Sequence, residues 1–251
     1  MNMKHLKWQI LLSASLLALS AIVYLIHYAI FRDAHHIFIY MIGDIAFVFT
    51  EVLLVTIIIH QVLAFREKRL LLEKLNMIIG AFFSEVGKEL LQLFATFDPE
   101  ADKIRQSLVV TDRWSTEQFL DVRKRLTEYR HDIDITRNSL DTLKQTLVRE
   151  REFLLRLLEN QNLLEHDSFT SLLMAVFHLT EELESRGDFA QIPEADRKHL
   201  AIDMKRAYSL LISEWLSYMK HLKENFPYLF SFAMRTNPFD PEATPEIKES
   251  A

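Results

Sequence analysis

Two apolar runs near the start of the chain constrain its fold more than any other feature. The first, Trp8 to Phe31, reads WQILLSASLLALSAIVYLIHYAIF. Its roughly 24 residues exceed the ~20 that carry an α-helix across a bilayer. The second runs from His36 to Phe65. At ~1.5 Å per residue it would reach about 45 Å, so it must tilt or project beyond the hydrocarbon. Only RDAHH, Arg32 to His36, joins them, which predicts a tight helical hairpin over 8–65, with spans 8–31 and 36–65. A signal peptide is the competing reading, since Lys4 and Lys7 precede the first run and small residues lie at Ala18 to Ala21. The apolar stretch continues well past that point, which a signal core does not do. Basic residues set the expected orientation. Lys4 and Lys7 precede the first span, and Arg66, Lys68, Arg69 and Lys74 follow the second. The sequence therefore predicts an integral membrane protein of two spans with both termini cytoplasmic, residues 1–7 forming the N-terminal cytoplasmic segment. The same four cations lie where anionic lipid headgroups would be.

The second span keeps two carboxylates, Asp44 and Glu51. Seven residues apart, they fall on one helix face within about 20°. His36 and Tyr40 continue that stripe toward the outer end, and Leu54, Val55 and Ile58 continue it inward. An acid at bilayer depth costs a few kcal/mol unless it faces protein or water. Three readings follow, one of them a proton relay through the two acids. In a ring of copies, Asp44 and Glu51 would form acidic rings that attract cations, and the apolar positions below would close the path by dewetting. Alternatively, Tyr24 or His27, at about the depth of Asp44, hydrogen-bonds that acid inside one hairpin, and Glu51 bonds a neighbouring helix.

The remainder predicts an all-α cytoplasmic bundle. Four Gly and six Pro in 251 residues argue for long helices and against sheets. Residues 66–98 read as a juxtamembrane amphipathic helix, with Gly80, Ser84 and Gly87 permitting close packing. Residues 99–235 read as the bundle, with Asp98-Pro99 as a helix start and Ser115/Gln118 as a capping box. Phe119, Leu126, Ile133, Leu140, Leu147 and Leu154 recur every seventh residue, accompanied by Val122, Tyr129, Leu143 and Leu157. That frame predicts one long coiled-coil-like helix over about 116–158 and a homo-oligomer, although His131 to Thr136 has the low helix propensity of a turn. Two further helices are expected, from about Asp167 to Arg186 and from about Ala195 to Glu224. The Pro- and Glu-rich tail 236–251 reads as disordered.

Motifs for chemistry are sparse. His166, Asp167 and Thr170 resemble the phosphoacceptor box of sensor-kinase phosphotransfer hairpins over five residues. That resemblance implies a phosphorylatable imidazole. No Gly-rich ATP-binding loop follows the box, so kinase activity is not expected, and a helix N-cap at Asp167 or Ser168 is the simpler role. His178, Glu181 and Glu182 share a helical face, but no matching Glu-x-x-His motif accompanies them, so a solvated polar face is expected rather than a metal site. His199 and His221 suggest nothing specific. The absence of cysteine excludes disulfides, thiol catalysis and Cys-type zinc sites. A net charge of −6 argues against nucleic-acid binding. No nucleotide-binding or hydrolase motif is present, so neither enzymatic activity nor a cofactor is expected.

The expected function is a homo-oligomeric, cation-conducting membrane protein of roughly four or more copies, since two spans cannot enclose a path alone. Its expected partners are lipid, further copies of itself and a cation. The alternative is a membrane-anchored scaffold or signalling adaptor whose cytoplasmic bundle binds a protein partner.

Overall fold

The computed structural model describes residues 3–129, 132–136, 138–160, 163 and 166–247, with side chains described from Trp8 onward except at 70–73 and 127–128. Among them the chain is helical throughout, with no strand, as the scarcity of turn residues predicts. It divides into two compact units, Met1–Lys68 and Arg69–Ala251.

The first unit holds α1 (Met3–Phe31) and the first part of α2 (Ala34–Phe82). The reversal between them needs two residues. Arg32 takes the left-handed conformation (φ 52°), and its N–H donates to Tyr28 O at 2.9 Å. Asp33 Oδ1 then accepts from the His36 N–H at 3.2 Å, satisfying an orphan donor of the first turn of α2. Among the described residues of this unit no side chain is buried, and only His27, Ile37 and Met41 are partly so. Leu17 and Phe49 are 72% and 76% exposed. An apolar surface of this extent has no core of its own and needs an apolar environment. Both helices are long and apolar enough to cross a membrane.

The second unit is built around the continuation of α2. Leu75, Ile79 and Phe82 line one stripe, and a π-helical turn (Phe83–Gly87) follows. Beyond it α3 (Lys88–Phe97) buries Leu90, Leu91, Phe94 and Phe97. Residues 75–97 are therefore core of the bundle, which corrects the expectation of a juxtamembrane helix over 66–98. The π turn adds a residue to one turn, so the buried stripe resumes in a new phase after it. Phe82 meets Phe169 edge-on at 5.3 Å, Phe83 meets Trp215 at 5.2 Å, and Phe94 meets Tyr208 at 5.8 Å. These partners lie on α8 (Asp167–Glu184) and α9 (Glu194–Asn225), which pack on each other. α9 also packs on α3, α5 (Thr116–Glu128) and α10 (Pro227–Arg235). The short α4 (Ala101–Leu108) precedes α5.

The long heptad helix is not formed. α5 opens on the expected capping box, with Ser115 Oγ accepting from Gln118 N–H at 3.3 Å and Gln118 Oε1 from Ser115 N–H at 2.7 Å. It ends at Glu128, and helix resumes only with α6 (Leu140–Arg149) and α7 (Arg151–Leu158). Side chains that compete for backbone bonds hold the chain out of helix between them. Asp134 Oδ1 accepts from Thr136 N–H at 2.9 Å, while Asp134 N–H donates to Phe97 O at 2.9 Å. Ser139 Oγ caps α6 by accepting from Asp141 N–H. Of the weak stretch, His131 lies outside the described residues. The heptad side chains Phe119, Leu140, Leu147 and Leu154 are buried inside this one chain. They supply no exposed seam for self-association.

Two smaller expectations also change. Asp98 does not cap α4. It makes a turn in which Oδ1 accepts from Glu100 N–H at 2.9 Å. The tail expected to be disordered packs at its start: Asn237 and Phe239 are buried, and Asn237 Nδ2 donates to Leu108 O at 2.9 Å.

Candidate functional site

In the first unit, the connection end gathers His27, His36, Tyr24 and Tyr40. The His27 and His36 rings stack at 6.0 Å with 10° between planes, and Tyr40 meets His36 edge-on at 4.6 Å. Val23, Tyr24, His27, His36, Ile37 and Tyr40 line a cleft of about 300 Å3 between the helices. The expected bond from Tyr24 or His27 to Asp44 is not made, because the His27 ring turns to His36 and to Phe31, 4.8 Å away. Asp44 and Glu51 are exposed on α2, and among the described residues neither has a hydrogen bond or ion pair. Leu54, Val55 and Ile58 are exposed further along the same helix. Arg66, Lys68, Arg69 and Lys74 are exposed beyond them.

In the second unit, α8 and α9 bring together four groups from two i,i+4 pairs. His178 and Glu182 come from α8, and His199 and Asp203 from α9. His178 Nε2 lies 3.9 Å from Glu182 Oε1 and 3.5 Å from Asp203 Oδ2. His199 Nε2 lies 3.8 Å from Glu182 Oε2 and 3.2 Å from Asp203 Oδ2. His178, Glu182 and His199 each offer a ligand atom within 4.8 Å of the others. Asp203 is 3% exposed, and its Oδ2 accepts no hydrogen bond. The solvated polar face expected for His178, Glu181 and Glu182 thus divides. Glu181 lines an open groove with Ser171, Phe177 and Arg206, while Glu182 turns to α9. Sequence reasoning missed His199 and Asp203 as members. The available signal was a His-x-x-x-acid pair on each of two neighbouring helices.

Arg186 fixes the register of this pair. Its guanidinium donates to both Asp196 oxygens, at 2.8 and 2.6 Å, and to Glu182 Oε2 at 2.6 Å. Bidentate geometry of this kind is what a planar fork provides and a lysine does not. Arg186 holds the Asp196 and Glu182 carboxyls below the usual carboxylate range, with His178 and His199 adding smaller pulls on Glu182. Carboxyls depressed in the folded state contribute stability that is present above the unfolded pKa, about 4, and is lost as pH falls through the folded values. Arg186→Met is expected to flatten the fall of the thermal midpoint between about pH 5 and pH 3 relative to wild type. Melting curves at stepped pH check this, and an unchanged slope would remove Arg186 as the cause.

His166 is a cap rather than an exposed nucleophile. It takes the role expected of Asp167 or Ser168, its Nδ1 accepting the Phe169 N–H at 3.2 Å. The Thr170 hydroxyl donates to Leu163 O at 2.6 Å.

These features define an all-helical protein of two units, the first carrying two helices long and apolar enough to span a membrane. The chain belongs to the MJ1433 family. Residues 3–63 match the MJ1433 N-terminal helical domain, and residues 71–235 match the C-terminal helical domain of "Uncharacterized protein MJ1433". It is 45% identical over 238 residues to the protein of that name from Methanocaldococcus jannaschii, covering 95% of this chain and 96% of the relative. No solved structure matches.

Proposed function

We propose that the protein is a homo-oligomeric, cation-conducting membrane protein with both termini cytoplasmic and α2 lining the path. The observation that carries this reading is the pair Asp44 and Glu51, exposed on an apolar helix and without a hydrogen bond or ion pair among the described residues. Charge at bilayer depth is tolerated where it faces water or another protein surface. Copies arranged around a central path supply both. Asp44 then forms the outer acidic ring and Glu51 the deeper one. His36 and Tyr40 line the mouth, and Leu54, Val55 and Ile58 form the constriction. Arg66, Lys68, Arg69 and Lys74 meet the cytoplasmic headgroups.

Glu51→Gln is expected to lower cation flux into liposomes by about tenfold or more with assembly intact, because it removes a ring of charge and keeps the side-chain volume. Unchanged flux would take Glu51 out of the path. Particle mass in nanodiscs comes first. Roughly four or more copies are required, and a persistent monomer or dimer sinks the reading.

A second reading, the membrane-anchored adaptor, draws on the buried heptad. The stripe expected to assemble copies is used inside a self-contained second unit. Under this reading Asp44 and Glu51 bond a neighbouring helix, and the second unit binds a cytoplasmic protein. A monomeric or dimeric particle would favour it.

A further inference from the structure

We propose that the second unit carries a divalent-metal site, formed by His178, Glu182, His199 and Asp203 across the α8–α9 interface and suited to Zn2+ or a cation of similar size and softness. The Asp203 carboxylate, 3% exposed, loses most of its hydration, and a buried carboxylate oxygen is ordinarily hydrogen-bonded. Oδ1 is satisfied in part by Arg206 Nη1 at 3.2 Å, but among the described residues Oδ2 accepts no hydrogen bond. What Oδ2 faces is two imidazole nitrogens, at 3.5 and 3.2 Å.

The spacing of the ring is that of ligands around an ion. Zn2+ binds imidazole nitrogen and carboxylate oxygen at about 2.0–2.2 Å, and a tetrahedron of such bonds has edges of about 3.3–3.6 Å. The two imidazole nitrogens lie 3.5 and 3.2 Å from Asp203 Oδ2, about the length of such an edge, and 3.9 and 3.8 Å from Glu182 Oε1 and Oε2 respectively, somewhat longer. The 3.8 and 3.9 Å separations exceed hydrogen-bond length, so no hydrogen bond joins either imidazole to Glu182.

The surroundings orient the donors. Arg186 takes Glu182 Oε2, which leaves Oε1 toward His178. Arg206 takes Asp203 Oδ1, which leaves Oδ2 toward both rings. Partners behind the ligands are what fixes ligand geometry in metal sites generally. Two neutral imidazoles and two carboxylates match a borderline divalent cation, whereas Ca2+ and Mg2+ favour all-oxygen sets. The side chains of His178 and His199 are 45% and 50% exposed, so the ion enters from solvent and exchanges.

The test uses the full chain in detergent, without a polyhistidine tag, stripped with chelator and dialysed. Co2+ is titrated for the visible d–d bands of a tetrahedral site, and Zn2+ affinity is measured by competition with a chromophoric chelator. One equivalent per chain is expected. His178→Ala and His199→Ala, at half-exposed positions and with the fold checked by circular dichroism, are each expected to weaken Zn2+ binding by about 100-fold. Asp203→Asn is expected to do the same, and the two histidine variants carry the test if it fails to fold. Asp44→Asn/Glu51→Gln is expected to bind Zn2+ like wild type, which separates this site from the membrane path. No stoichiometric Co2+ or Zn2+ binding by the wild type, or equal binding by the histidine variants, would overturn the proposal.

Discussion

Trp215→Ala is expected to destabilise the second unit by about 3–5 kcal/mol, the range for deleting a large buried aromatic. Trp215 is 1% exposed on α9, edge-on to Phe83 at 5.2 Å and tilted against Tyr218 at 6.1 Å. Its removal opens a cavity where the core helix meets α9, and aromatic pairing is lost in addition. The indole Nε1 is buried and has no hydrogen-bond partner among the described residues. Trp215→Phe therefore removes an unsatisfied donor along with part of the ring, and its cost is expected to be less than half that of the alanine variant. Chemical unfolding followed by circular dichroism separates the two. Equal costs would mean that the retained six-membered ring contributes nothing and that the part of the indole missing from both variants carries the whole effect.

Gly87→Ala is expected to lower stability although alanine is the better helix former. The intrinsic gain is about 1 kcal/mol. Against it, a Cβ at Gly87 would sit 2.6 Å from Phe83 Cδ1 and 2.9 Å from Phe82 Cε1. Both rings are buried, at 1% and 0% exposure, so they cannot swing aside into solvent. Overpacking of a filled core costs about 1–3 kcal/mol, which outweighs the propensity term. Gly187→Ala is the control, since nothing lies within 4 Å of a Cβ there. The same unfolding curves decide it. A Gly87→Ala protein as stable as wild type would mean that the π turn relaxes to take the methyl.

Helix ends were readable where their chemistry is local. The helices expected from about Asp167 to Arg186 and from about Ala195 to Glu224 are α8 and α9, and Ser115 with Gln118 caps α5 as expected. The heptad misled because a seven-residue repeat is the mark of any helix with one buried face, including short helices of a single bundle. Phe119 and Leu147 keep the phase although Asp134, Thr136 and Ser139 interrupt the helix between them. Residues 75–97 misled through position, because an apolar helix beside a span reads as membrane-proximal until its partners on α8 and α9 are known. The tail misled through composition, since Asn237 and Phe239 anchor a stretch otherwise rich in Pro and Glu. The cluster at Asp203 was illegible for a different reason. Each i,i+4 pair is ordinary alone, and only the register set by Arg186 and Asp196 brings them together.

The placement of the core helix at the start of the second unit has a consequence for how the chain is made. Phe82, Phe83, Phe94 and Phe97 leave the ribosome directly after the two apolar helices, but Phe169, Tyr208 and Trp215 follow much later. At about 5–20 residues per second, the roughly 120 residues between Phe94 and Trp215 take about 6–24 s to synthesise. For that interval the aromatic stripe has none of its native cover. The last clasp, Asn237 on Leu108, closes only when nearly the whole chain has emerged. Nascent protein truncated anywhere before α9 is thus a species with a greasy, unfinished face, and its exposure to aggregation is set by the order of synthesis rather than by the stability of the finished bundle.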